Sequence, residues 1–147
     1  AAELNESAVI QLFEEMKVTP EVNNLGALKK YQAPNITVYV GDVFSLTQEH
    51  LGAVDAVYDR AALVALPDAM RQPYAKLLIT VTQKTPQLLV AIEYDQSQYD
   101  GPPFSITEEM VRDLYAENYN CDLLERQPME GGLKGKCEAW EAVWFLK

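Results

Sequence analysis

Apolar and polar positions along the chain alternate between helical and extended patterns. From Ser7 onward Val9, Ile10, Leu12, Phe13 and Met16 recur at helical spacing, which predicts an amphipathic helix. Asn5 stands where an N-cap side chain accepts from a free backbone N–H, and Thr19-Pro20 ends the run. Residues 21–35, broken by Gly26 and Pro34, predict a loop or a small hairpin. Ile36–Val40 is β-branched and aromatic and closes on Gly41-Asp42, so a strand is expected there. A short helix should follow Thr47. Residues 54–58 predict another strand, ending in Asp59-Arg60, with residues 61–66 as an apolar connection. Pro67-Asp68 opens a helix expected to reach about Val81, with Pro67 in its first position. Pro73 should kink that helix or delay its start. Residues 88–92 form a continuous apolar run, as in a strand covered on both faces, and end in Glu93-Tyr94-Asp95. A polar loop closes on Gly101-Pro102-Pro103-Phe104. Thr107, with Glu108 and Glu109, starts a helix through Met110, Val111, Leu114 and Tyr115. Two strands near 121–126 and 140–146 should finish the chain as an antiparallel pair, joined by a loop holding Gly131, Gly132 and Gly135.

The βαβα order predicts an α/β fold with a mostly parallel sheet and an antiparallel last strand. The 147 residues fit one domain, 1–147. A net charge of −10 repels phosphate backbones and anionic lipid, so neither nucleic acid nor a membrane surface is an expected partner. No apolar run approaches the ~20 residues of a membrane span. With two cysteines, Cys121 and Cys137, there is neither a disulfide framework nor metal-ligand spacing, and a cytoplasmic location is expected. His50 is the one histidine, which removes Ser-His-Asp and Cys-His chemistry unless it serves, and no metal site is expected.

Ligands of open α/β sheets bind outside the carboxyl ends of the strands. The residues there are Glu3, Asp42, Tyr58-Asp59-Arg60 and Glu93-Tyr94-Asp95. One acid past a strand is usually a cap or a solvated loop charge; four strand ends in succession point to a ligand rim. A carboxylate accepts two hydrogen bonds from a vicinal diol, which suits a ribose, and Asp42 can accept from an exocyclic amine. Arg60 offers a planar fork for a ligand carboxylate, or a salt bridge to its acidic neighbours. Gly101-Pro102-Pro103-Phe104 is a stiff corner. It is either a rigid turn plugged by Phe104 or one wall of a flat aromatic pocket.

Together these residues resemble the thiopurine S-methyltransferase family, particularly its bacterial members. The resemblance runs over nearly the whole chain. It is strongest at Ala2-Glu3-Leu4-Asn5-Glu6-Ser7-Ala8-Val9, at Val57-Tyr58-Asp59-Arg60-Ala61-Ala62-Leu63-Val64-Ala65-Leu66-Pro67, and at Glu93-Tyr94-Asp95-Gln96 with Gly101-Pro102-Pro103-Phe104. It implies a Rossmann-like methyltransferase fold that uses S-adenosylmethionine to methylate a small aromatic or heterocyclic thiol, or a selenium or tellurium species. By position it implies that Glu3 and Leu4 hold the cofactor ribose and that Asp42 and Val43 lie beside the adenine. Arg60 then lies near the cofactor's amino-acid end and the acceptor, with Asp59 positioning it, and these two are the catalytic candidates. Pro102, Pro103 and Phe104 form the acceptor wall.

Two departures from the family stand out. The chain opens at the family's second strand, so the expected sheet lacks its first, central strand and the glycine-containing cofactor loop. The expectation is a fragment, then part of a chain whose beginning is not supplied, and last a variant that closes its sheet another way. Some members also carry an arginine before the last strand; here that stretch holds Glu130, Lys134 and Lys136, and Lys134 is the candidate substitute. The rival functional reading is a non-catalytic remnant that serves as a binding or interaction module. A receiver-like domain ranks lower, because Glu93-Tyr94-Asp95 stands where such domains need a lysine. If the chain is complete, the strands beside the gap should pair with a second copy to give a homodimer.

Overall fold

The computed structural model describes all residues 1–147. No helix is long and apolar enough to cross a membrane. The chain separates into two compact units, residues 1–50 and 51–147.

In the first unit, strand β1 (Ala2–Glu3) precedes helix α1 (Glu6–Glu15). The Asn5 side chain accepts from Ser7 N and caps α1 as expected. Strands β2 (Glu21–Asn24) and β3 (Lys29–Ala33) form the small hairpin that residues 21–35 allowed. Strand β4 (Ile36–Val40) falls on the expected bounds. The sheet order is β1-β4-β3-β2, with β1 parallel to β4 and the other neighbours antiparallel. Val9 and Phe13 of α1 bury against Tyr31, Val38 and Val40; each such side chain contributes roughly 1.5–3 kcal/mol. Glu6 fastens the helix to the sheet by accepting from Lys29 Nζ at 2.8 Å and Tyr31 Oη at 2.5 Å. The hydrogen bond from Lys29, then that from Tyr31, holds the Glu6 carboxyl below the usual range. A short helix, α2 (Gln48–Leu51), follows Thr47 as expected.

In the second unit, strand β5 (Val57–Arg60) leads through a 3-10 turn at Leu63–Ala65 into helix α3 (Asp68–Val81). Pro67 is the N-cap rather than the first helical residue, and the helix runs on through Pro73. Strand β6 (Gln87–Tyr94) is longer than its apolar stretch. Helix α4 (Glu108–Tyr115) is capped by Thr107, whose side chain accepts from Met110 N. Strands β7 (Cys121–Pro128) and β8 (Ala139–Leu146) close the chain. The order is β5-β6-β8-β7: β5 runs parallel to β6, and β8 runs antiparallel to both β6 and β7. Leu89, Ala91, Val111, Tyr115, Trp144 and Leu146 are fully buried in its core.

The α/β character and the antiparallel final pair hold, but one mostly parallel sheet does not. Two mixed sheets stand in its place, and only β1–β4 and β5–β6 are parallel pairs. The physical reason is connectivity: β2–β3 and β3–β4 are joined by the short loops 25–28 and 34–35, which return the chain antiparallel.

Candidate functional site

In the first unit, the parallel register pairs Glu3 with Val40, and Gly41 N donates to Glu3 O at 3.0 Å. Glu3 and Asp42 therefore leave adjacent strands at the same rim. Gly41 is required for this ending. Its φ is +138°, and a Cβ would lie 2.8 Å from the Ala27 carbonyl oxygen. Each carboxylate spends one oxygen on its own loop: Glu3 Oε1 accepts from Asn5 N at 2.8 Å, and Asp42 Oδ1 accepts from Phe44 N at 3.0 Å. Oε2 of Glu3 and Oδ2 of Asp42 remain for a ligand. Leu4 is 75% exposed, and Val43 starts a half-buried 3-10 turn over Val43–Ser45. Two preoriented acceptors beside an exposed apolar side chain fit a ligand with hydroxyl or amine donors on a flat apolar body.

In the second unit, strand alternation separates neighbours at the end of β5. Tyr58 and Arg60 face outward; Asp59 is 3% exposed. The Asp59 carboxylate does not bond Arg60. It accepts from Tyr74 Oη at 3.0 Å and from Leu63 N at 3.4 Å. Burial raises its pKa above the usual value, against the opposing pull of the Tyr74 and backbone hydrogen bonds. The bond to Leu63 N closes the turn after β5, in which Ala61 adopts φ +67°. Arg60 Nη2 lies 3.9 Å from Glu141 Oε2, and the Arg60 side chain is 62% exposed, so it is held loosely.

A cavity of about 650 Å3 opens beyond the carboxyl end of β6. Pro67, Arg71, Tyr94, Asp95, Phe104 and Met110 line it. Of the three expected wall residues, Phe104 lines the cavity, whereas Pro102 and Pro103 brace the corner behind it. Pro103 O accepts from Tyr94 Oη at 2.7 Å, and Pro102 O accepts from Tyr99 Oη at 3.1 Å and Lys134 Nζ at 3.2 Å. Lys134 Nζ also donates to Tyr99 Oη at 2.9 Å, so it braces the corner and is absent from the cavity lining. Asp95 accepts from Gln98 Nε2, Ser97 N and Ser97 Oγ, and these bonds hold its carboxyl below the ordinary range. The sequence reading missed Arg71. Its signal was positional: Arg71, Tyr74, Ala75, Leu78 and Val81 all bury from α3, so a cation sits on the apolar stripe.

The structure brings Glu3 and Asp42 together at one rim of the first unit, whereas in the second unit Arg60 pairs with Val90, short of the carboxyl end of β6 that bears Tyr94 and Asp95. No group of three or more histidine, cysteine or acidic side chains is arranged to hold a metal ion.

Comparison with known proteins agrees along almost the whole chain. The family model described as thiopurine S-methyltransferase (TPMT) matches residues 1–142. The thiopurine S-methyltransferase of Xanthobacter autotrophicus is 51% identical over 146 residues, covering 99% of this chain and 68% of that protein. Those of Teredinibacter turnerae and Gluconobacter oxydans are 48% and 44% identical, covering 98% and 97% of this chain and 67% and 64% of theirs. The chain spans about two thirds of the length of these relatives. By the extent of these matches, the chain belongs to the thiopurine S-methyltransferase family.

Proposed function

We propose that the chain carries the cofactor-rim and acceptor residues of an S-adenosylmethionine-dependent S-methyltransferase that acts on small aromatic or heterocyclic thiols, with selenium and tellurium species as further polarisable acceptors. The observation that carries this reading is the parallel pairing of β1 with β4, which sets the spare oxygens of Glu3 and Asp42 at one rim. Glu3 takes the ribose hydroxyls, Asp42 accepts from the adenine amine, and Leu4 and Val43 pack on the ring. Arg60 pairs with the carboxylate of the cofactor's amino-acid end. Asp59 acts on Arg60 through the backbone, by fixing the turn that follows it.

When bound, the cofactor supplies an activated sulfonium methyl group. The chain's own residues then have mainly to orient. Phe104, held by its braced corner, keeps a flat acceptor ring in place, and orientation of this kind is worth ~7–11 kcal/mol in favourable cases. A soft thiol ionises easily, which suits a cavity without a histidine base.

The test is methyl transfer from S-adenosylmethionine labelled in the methyl group to 6-mercaptopurine. The chain should form labelled S-methyl product, and Arg60→Ala should lower the rate at least tenfold. Cofactor binding without product would instead favour the rival reading, a binding module on this scaffold. If the chain is complete, we also propose that it self-associates through β5, which pairs with β6 alone and ends its sheet.

A further inference from the structure

The acceptor cavity is lined by a single cation, Arg71, to which nothing above gives a function. We propose that Arg71 is a positioning residue that sets the width of this cavity by clamping Phe104, and so selects flat, uncharged aromatic acceptors of limited breadth. The proposal rests on the reading of the cavity as the acceptor site.

The Arg71 side chain is 7% exposed, and its contacts join four stretches of chain. Nε donates to Leu66 O at 3.0 Å, at the end of the 3-10 turn. Nη1 donates to Asp68 Oδ1 at 3.3 Å in the first turn of α3, and to Met110 Sδ at 3.8 Å on α4. The guanidinium lies over the Phe104 ring, 5.5 Å from its centroid, where a cation is attracted to the aromatic face. Phe104 N in turn donates to Val64 O at 2.6 Å, two residues from the carbonyl that Arg71 holds. Arg71, Phe104 and the turn therefore form a closed loop of contacts.

The ring has no room to retreat on its other contact. A Cβ on Gly101 would lie 2.6 Å from it, so glycine is needed there to admit the ring. Lysine cannot replace the clamp in full, because a single ammonium lacks the planar fork that reaches a carbonyl, a carboxylate and a ring face together. The lining carboxylates, Asp68 beside Arg71, Asp95 held by Ser97 and Gln98, and Asp100, disfavour an anionic acceptor, and the gap between side chains limits the breadth of an uncharged one.

The test compares wild type with Arg71→Met, Arg71→Lys, Phe104→Leu and the Arg71→Met/Phe104→Leu double variant. Dissociation constants are measured for 6-mercaptopurine and for the bulkier 6-(benzylthio)purine, alongside thermal midpoints. Arg71→Met should weaken 6-mercaptopurine at least tenfold while weakening the bulkier purine less than twofold, and Arg71→Lys should fall between. A general loss of folding would lower both affinities together and leave their ratio unchanged. With no ring left to clamp, Phe104→Leu and the double variant should agree within twofold. An unchanged ratio in Arg71→Met, or losses that multiply in the double variant, would overturn the proposal. Should Arg71→Met not fold, the ratio in Arg71→Lys decides in the same way. If wild type binds neither purine, the acceptor reading itself fails, and the clamp with it.

Discussion

At the scale of single residues, Asp59 carries the clearest physical consequence. It was legible in the sequence as a strand-end acid, but its partners were not, because strand alternation turns it into the core, where Tyr74 meets it from a helix fifteen residues on. Burial raises its pKa above the ordinary aspartate value of about 3.9. The folded chain therefore binds this proton more tightly than the unfolded chain. The stability Asp59 contributes is fully present below the unfolded pKa and is lost as pH rises through the raised folded value. Asp59→Asn removes the titration, and its Nδ2 donates to Tyr74 Oη where the carboxylate accepted. In urea unfolding across a pH series, Asp59→Asn should gain on wild type as pH rises through that window, by up to about 1.4 kcal/mol per pH unit. A difference that stays constant with pH would contradict this. Glu3 and Asp42 lie at strand ends, as their sequence positions indicated, and Phe104, which the sequence left as either a plug or a pocket wall, lines the cavity. Arg71 stayed hidden because its role depends on Phe104, Leu66 and Met110, which converge only in three dimensions.

Elements were legible wherever a local rule governs them. Asn5 and Thr107 cap α1 and α4 because each places a side-chain oxygen over free backbone N–H groups. Strand β5 lies further along than its apolar stretch, at Val57–Arg60, because pairing with β6 extends it over Asp59 and Arg60. Pairing partners were not legible, since a hydrophobic run states that a strand is buried and not which strand lies beside it. That is why β3 beside β4, and the split into two sheets, stand where one mostly parallel sheet was expected, whereas the antiparallel last strand was legible. The open side of β5 follows from the same pairing, and Tyr58 on that strand is 63% exposed. Sedimentation velocity over a rising concentration series should show a dimer, and Tyr58→Lys, which places a charge on this edge strand, should shift it toward monomer. A monomer at every concentration would remove self-association from the description.

For the molecule as a whole, the strand ends that the sequence presents as one rim lie on two separate sheets. In residues 1–50, Glu3 and Asp42 offer spare carboxylate oxygens beside exposed Leu4. In residues 51–147, a corner braced by Tyr94, Tyr99 and Lys134 presents Phe104 to a cavity of about 650 Å3. Family membership was legible because its three motif blocks are local strings of residues. The division into two sheets was not, because it depends on contacts between distant segments. The central claim is the proposal that Glu3 and Asp42 bind an S-adenosyl cofactor, and isothermal titration with S-adenosylhomocysteine tests it most directly. The expected result is saturable heat at one site per chain, weakened at least tenfold by Glu3→Ala. No heat at high ligand concentration, or an affinity indifferent to Glu3→Ala, would contradict it.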